Sequence, residues 1–172
     1  MDKKLLLVSF GWSGTSDSVA AEIARSLTEA GYTIDIHHPR GAPTPDAYQG
    51  LIVGTAIHMG QVHPDVKGFL RKHQSVISKM PTAYFVVCLT MKDATEENRR
   101  TVNGYLNALQ KEMPSIHPSS VGLFAGSLVF AKLSLPLRLM LKAAKMEEGD
   151  YRDWDEIRRW SAELPEKLFP AG

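Results

Sequence analysis

Residues 9–18 read "SFGWSGTSDS", with two glycines three apart (Gly11, Gly14), five hydroxyl side chains and no lysine or arginine. The stretch lies between an apolar run and a segment with helical spacing. At the start of a helix, backbone N–H groups are unpaired and the positive end of the helix dipole points outward. Gly11 and Gly14 let the backbone turn tightly, and Ser13, Thr15 and Ser16 add hydroxyl donors. Such a loop holds a phosphate dianion by N–H and O–H groups alone. The alternative is a plain helix start whose hydroxyls only cap it. A nucleoside triphosphate loop is excluded by the missing Gly-Lys-Ser/Thr ending. A dinucleotide fingerprint is excluded because position 17 is Asp where a third glycine is required.

Two further loops have suitable residues for the rest of a ligand. "GTAIHMG" (Gly54 to Gly60) has small residues at both ends with Ile57, His58 and Met59 between them, and "CLTMKDA" (Cys88 to Ala94) follows another apolar run. A phosphate nest flanked by two apolar walls suits a phosphorylated planar ligand. The other reactive side chains point less clearly to chemistry. His58 and His63 flank the second loop but have no carboxylate or cysteine at a ligand spacing, so no metal is expected and both read as exposed loop histidines. His58 is also placed to touch a substrate. Cys88 reads as a buried strand residue, and Glu96 and Glu97 as capping and solvating groups. No side chain is assigned as catalytic.

The elements that would position these loops alternate along the chain. Apolar runs at Lys4–Phe10, Gly50–Ala56, Ala83–Leu89 and Val121–Phe130 read as buried strands, and Tyr32–His37 as an outer strand. Val19, Ala20, Ile23, Ala24 and Leu27 form one helical face closed by Gly31. A second helical region runs from Pro64 to Ile77. A third opens at Asp93 with Glu96, and a fourth at Asp153 with Glu156, both as capping boxes. Strands alternating with helices define an α/β fold, a parallel sheet covered on both faces. Ligands of such a sheet sit outside the carboxyl ends of its strands, where the three loops fall.

The 172 residues suffice for a single domain spanning 1–172, and 44% hydrophobic with 23% charged residues fits a soluble globular chain. A formal charge of +1 argues against nucleic-acid binding driven by bulk charge. One cysteine excludes an internal disulfide and agrees with a cytoplasmic setting. The opening apolar run is too short for a signal peptide, and no stretch is long enough to span a bilayer. The segment at about 131–148 stands apart. "KLSLPLRLMLKAAKM" carries Lys132, Arg138, Lys142 and Lys145 among Leu and Met, with no acidic residue between Glu112 and Glu147. It reads either as a core helix with a basic edge or as a surface helix for peripheral membrane contact at the inner face of the membrane.

"SGTS" after an apolar strand, "VGTAIHMG" after the third strand and "YFVVCL" in the fourth resemble the flavodoxin-like FMN proteins. The run from Gly54 to Leu89, with "MP" before the fourth strand, together with "FAGSL" and "DWDEIRRW", is similar to the protoporphyrinogen dehydrogenase branch of that superfamily. The resemblance implies a flavodoxin-like three-layer sandwich with a five-stranded parallel sheet of order 2-1-3-4-5. It implies FMN as cofactor, with Ser13, Gly14, Thr15 and Ser16 on the phosphate. Thr55, Ala56, Ile57, His58, Met59 and Gly60, with Leu89, Thr90, Met91 and Lys92, would bracket the isoalloxazine. Met59 stands where these proteins commonly stack an aromatic ring, and Trp12 is bulky for the phosphate loop, so it either covers the flavin edge or fills the core. The implied activity passes electrons from a porphyrin-like small molecule through FMN to a quinone. The alternatives are a soluble flavodoxin-type carrier docking on a redox protein, and a module of this shape that binds no flavin.

Overall fold

The computed structural model describes residues 3–171, so the first two residues and the last of the 1–172 span lie outside the described residues. Strands β1 (Lys4–Phe10), β2 (Thr33–His37), β3 (Gly50–His58), β5 (Thr82–Cys88) and β6 (Ser120–Ala125) form a parallel sheet ordered β2-β1-β3-β5-β6. Counting only these five, that is the expected order 2-1-3-4-5. A short β4 (Gln61–Val62) turns back antiparallel on the end of β3. Register pairs Phe10 with Thr55, Ala56 with Val87, and Cys88 with Ala125. The loops after β1, β3, β5 and β6 therefore leave the same edge of the sheet.

Side chains alternate across a strand, and each face of this sheet has its own core. Leu6, Val8, Leu51, Val53 and Val86 pack with α2 (Pro64–Lys72), α3 (Gln74–Ile77) and α4 (Glu96–Glu112). Leu5, Leu7, Ile52, Phe85 and Val87 pack on the opposite face with α1 (Thr15–Glu29) and α6 (Trp154–Leu168). The α1 stripe Val19, Ala20, Ile23, Ala24 and Leu27 is buried as its spacing requires. The helix stops at Gly31, whose φ of +89° suits glycine. There Tyr32 N–H reaches the Leu27 carbonyl and Gly31 N–H that of Thr28, each at 3.0 Å.

Four sequence expectations change. The Pro64–Ile77 region is two helices, because the chain breaks at His73 (φ −108°, ψ 15°). The cap of α4 is Thr95, whose hydroxyl accepts from Asn98 N–H at 3.1 Å, not Asp93. Residues 89–92 tighten into a 3-10 turn first, which shifts the helix start past Asp93. The fifth strand ends at Ala125 rather than running to Phe130. After Gly126 the chain leaves the sheet and forms an excursion: β7 (Ser127–Leu128) pairs antiparallel with β8 (Gly149–Asp150), enclosing α5 (Leu135–Ala143). Finally, α5 is not a core helix, since none of its residues is buried and Leu135 is 63% exposed. Its apolar residues have no sheet beneath them because the excursion lies beyond the strand ends.

Candidate functional site

Helix α1 starts without a side-chain cap. Gly14 holds the N-cap position in the left-handed region (φ 76°) and has no side chain to offer. By contrast Thr95 caps α4, Asp153 caps α6 at Glu156 N–H (2.9 Å), and His63 Nδ1 caps α2 at Asp65 N–H (3.2 Å). The first-turn amides of α1 are thus left for something outside the helix.

The hydroxyls around those amides are arranged in two ways. Ser13 Oγ, Thr15 Oγ1 and Ser127 Oγ form a chain of two hydrogen bonds, each 3.0 Å. Ser16 Oγ, in a residue only 1% exposed, has no hydrogen-bond partner among the described residues. A buried hydroxyl without a partner costs about 1–3 kcal/mol unless a ligand satisfies it. Gly11 lies against it, since a Cβ there would stand 2.6 Å from Ser16 Oγ. Uncapped amides, an orphaned hydroxyl and a close glycine fit a phosphate monoester.

From this cradle a cavity of about 630 Å³ extends between the loops, within the usual range for small-molecule sites. One wall is Ala56 to Gly60, and another is Val87, Cys88, Leu89 and Thr90. Gly126 to Val129, Lys132 to Ser134, Leu137, Met140 and Leu141 close it from the excursion, and Tyr105 contributes from α4. Beyond the hydroxyl chain lies a second, more polar cavity of about 490 Å³, bordered by Gly14, Ser18, Lys132, Glu148, Asp150 and Arg152.

Of the sequence-named residues, Trp12, Ser13, Thr15, Ser16, Ala56, Ile57, His58, Met59, Gly60, Leu89 and Thr90 line the larger cavity, and Gly14 the smaller. Thr55, Met91 and Lys92 line neither. The Thr55 hydroxyl donates to the Ala56 carbonyl at 2.9 Å and accepts His63 N–H at 3.1 Å, which fixes the bend out of β3. Met91 is buried in the core, and Lys92 sits over the Tyr151 ring at 4.6 Å.

Trp12 neither fills the core nor plugs the cradle. It is 46% exposed and leans on His58 and His63, with ring centroids 5.1 and 4.5 Å apart. Met59 is the most exposed large apolar side chain named here, at 80%. It occupies the tip of a two-residue hairpin with φ 49°, followed by Gly60 at 73°. Those signs fit the turn type that matches the twist of a hairpin, and they hold Met59 at the cavity mouth.

His63 corrects an expectation: it is buried, not an exposed loop residue. Register places it directly after β4, where Phe10 and Trp12 cover its ring. Burial pushes His63 and His73 below the ordinary 6.5. A depressed histidine favours the neutral form in the fold, so its contribution to stability is full above 6.5 and is lost as pH falls from there through the lower folded value. Carboxylates held low by cations, such as Glu112 beside Lys67, act only below about 4.5. Denaturant midpoints are therefore expected to fall between about pH 7 and pH 5, and His63→Asn, which keeps a capping acceptor, to flatten that profile. A pH-independent midpoint across this window contradicts the assignment. Burial likewise pushes the Cys88 thiol up, so it lines the cavity as a protonated, apolar neighbour.

Sequence reading missed the excursion's share of the cavity. Gly126 within an apolar run was the available signal for a break, and the acid-free basic segment marked the part that folds back. Among the described residues no cluster of three or more metal-ligating side chains occurs.

A doubly wound sheet with an uncharged anion cradle and an apolar slot at its carboxyl edge defines the class. Residues 8–155 match the flavodoxin domain model, and the chain belongs to that family. It is 24% identical to the Escherichia coli (strain K12) protein named protoporphyrinogen IX dehydrogenase [quinone], over 94% of both chains. It is 26% identical to a Leishmania major protein of the same name, over 86% of this chain and 67% of that one. Among solved structures, an archaeal flavodoxin superposes with TM-score 0.61 at 12% identity, covering 96% of this chain and 98% of that one. Flavodoxin 2 from Bacillus cereus superposes with TM-score 0.60 at 16% identity, covering 95% and 99%. The two structures share the fold, and the family supports FMN as the cofactor.

Proposed function

We propose that this chain is an FMN-dependent oxidoreductase that oxidises protoporphyrinogen IX and delivers the electrons to a quinone. The observation that carries the cofactor half is the orphaned Ser16 hydroxyl beside the uncapped amides of α1. The substrate half is supported by the relatives' names over most of the chain. Bound FMN supplies the redox chemistry, and the protein supplies position and surroundings. Ser13, Gly14, Thr15 and Ser16 hold the phosphate. The walls Ala56–Gly60 and Val87–Thr90 clasp the ring system and keep water from its faces. Trp12 and Met59 flank the mouth where a substrate enters, and Thr55 sets the bend of the second wall.

A carrier that docks on basic partners is ordinarily acidic, whereas this chain has a net charge of +1. No described helix is long and apolar enough to cross a membrane. Peripheral contact is proposed for the exposed pair Leu135 and Leu139 on α5, together with the basic Lys142 and Lys145. Arg138 is not free for that role, because its guanidinium donates to the Phe130 and Leu133 carbonyls at 2.9 and 3.4 Å.

Anaerobic mixing with protoporphyrinogen IX is expected to bleach the bound flavin's visible absorbance, and a quinone to restore it. Hydrogens lost by the porphyrinogen then appear on the hydroquinone. Restoration is expected to be faster with the quinone in anionic than in zwitterionic vesicles. Porphyrin formation no faster than without protein would defeat the substrate assignment.

A further inference from the structure

The cradle carries no cation between Ser9 and Ser18, although a phosphate monoester is a dianion near neutral pH. The first turn of α1 even carries Asp17, paired with His38 Nε2 at 3.2 Å. The other charges that border the cradle come from the excursion and the residues just after it, and most are already engaged. Arg152 is held by Asp150 through Nε and Nη2, each at 2.7 Å. Glu148 accepts the Phe130 N–H. Lys132 is different: it borders both the apolar slot and the polar cavity, and its ammonium has no ion pair or hydrogen bond among the described residues.

Its backbone is well placed. Lys132 N–H donates to the Val129 carbonyl at 3.0 Å, and Arg138 ties the carbonyls on both sides of the turn, Phe130 and Leu133. The base of the excursion is fixed to the cradle itself by the Thr15–Ser127 hydrogen bond at 3.0 Å. Unlike the equally orphaned Ser9 hydroxyl, that of the 1% exposed Ser16 borders the same cavity as Lys132.

We propose that Lys132 is the cationic partner of the cofactor's phosphate, so that the excursion adds to the loop's preference for FMN over riboflavin. The inference rests on the FMN reading above. Hydroxyls and amides give the phosphate its geometry, and Lys132 gives the charge that distinguishes a dianion from an alcohol.

Fluorescence-quench titrations of apoprotein with FMN and with riboflavin, at low and high salt, test this. Lys132→Met is expected to weaken FMN about 10- to 100-fold, the range of one charge-assisted contact, with riboflavin unchanged and a shallower salt dependence. Lys132→Arg should retain most of the affinity. Lys142→Met, whose ammonium sits 5.2 Å from the Phe130 ring centroid, removes the same charge from the same excursion and should leave FMN affinity as in the wild type. Equal FMN affinity in Lys132→Met and wild type, equal losses in Lys132→Met and Lys142→Met, or a matching loss for riboflavin each overturn the proposal. A wild-type protein that takes up no FMN overturns the cofactor reading itself, a separate outcome.

Discussion

Ser16→Ala is expected to stabilise the cofactor-free protein while weakening FMN binding by about 10- to 100-fold. The two signs come from one atom. Without ligand, Ser16 Oγ is buried and unpartnered, so deleting it removes a desolvation penalty on the order of 1 kcal/mol. Gly11 leaves that oxygen its room, since a Cβ at position 11 would stand 2.6 Å from it. In the proposed complex the same hydroxyl would donate to a charged phosphate oxygen, and such bonds contribute roughly 1.5–3 kcal/mol. Ser9→Ala is the matched control, because Ser9 Oγ is also buried without a partner but lies on β1 outside the cavity lining. It should raise stability and leave FMN affinity alone. Thermal melts with and without FMN, read beside titrations, check both. If Ser16→Ala lowers the apoprotein's melting temperature and binds FMN normally, the hydroxyl is structural and the cradle loses its best evidence.

Gly54→Ala is expected to cost about 3 kcal/mol of stability, the upper end for overpacking. Its ideal Cβ would stand 2.0, 2.4 and 2.5 Å from three atoms of the Phe85 ring. That ring is fully buried, with Phe124 and Trp160 at centroid distances of 6.5 and 6.4 Å, so it has nowhere to turn. Gly54 sits one residue before Thr55, and the shift it forces should spread into the second wall and weaken FMN as well. Phe85→Leu removes the outer ring atoms that meet the new methyl. In a double-mutant cycle the Gly54→Ala penalty should shrink on the Phe85→Leu background, a coupling that distant effects would not give. Denaturant melts of the four proteins measure it, and additive losses would contradict the steric account.

The sheet was readable because its signals are local and repeated. Short apolar runs, the α1 stripe ending at Gly31, and the Asp153–Glu156 cap each follow from side-chain periodicity or a single backbone rule. The three loops were readable for the same reason, since strand order alone brings their starts to one edge. What stayed hidden depends on contacts distant in sequence. Ser127 meets Thr15 across 112 residues, and in "AGSLVF" only Gly126 hints at a strand that stops at Ala125. His63 looked like a loop residue because its burial comes from the β1 end folding over it. Lys132 carried a plain surface signature, and only the excursion's return to α1 sets it beside the cradle. Met91 and Lys92 follow an apolar wall in sequence, but the 3-10 turn at 89–92 points one into the core and leaves the other over Tyr151.

The central claim is that the head of α1 grips the phosphate of FMN while the neighbouring loops clasp its rings. An amide-resolved NMR titration of isotope-labelled apoprotein reads this residue by residue. With FMN, the account predicts saturable one-to-one shifts at Ser13 to Asp17, at Ala56 to Gly60 and at Leu89 and Thr90, while inorganic phosphate alone moves only the first group. Shifts that leave the α1 amides untouched, or no saturable shifts at all, would contradict it.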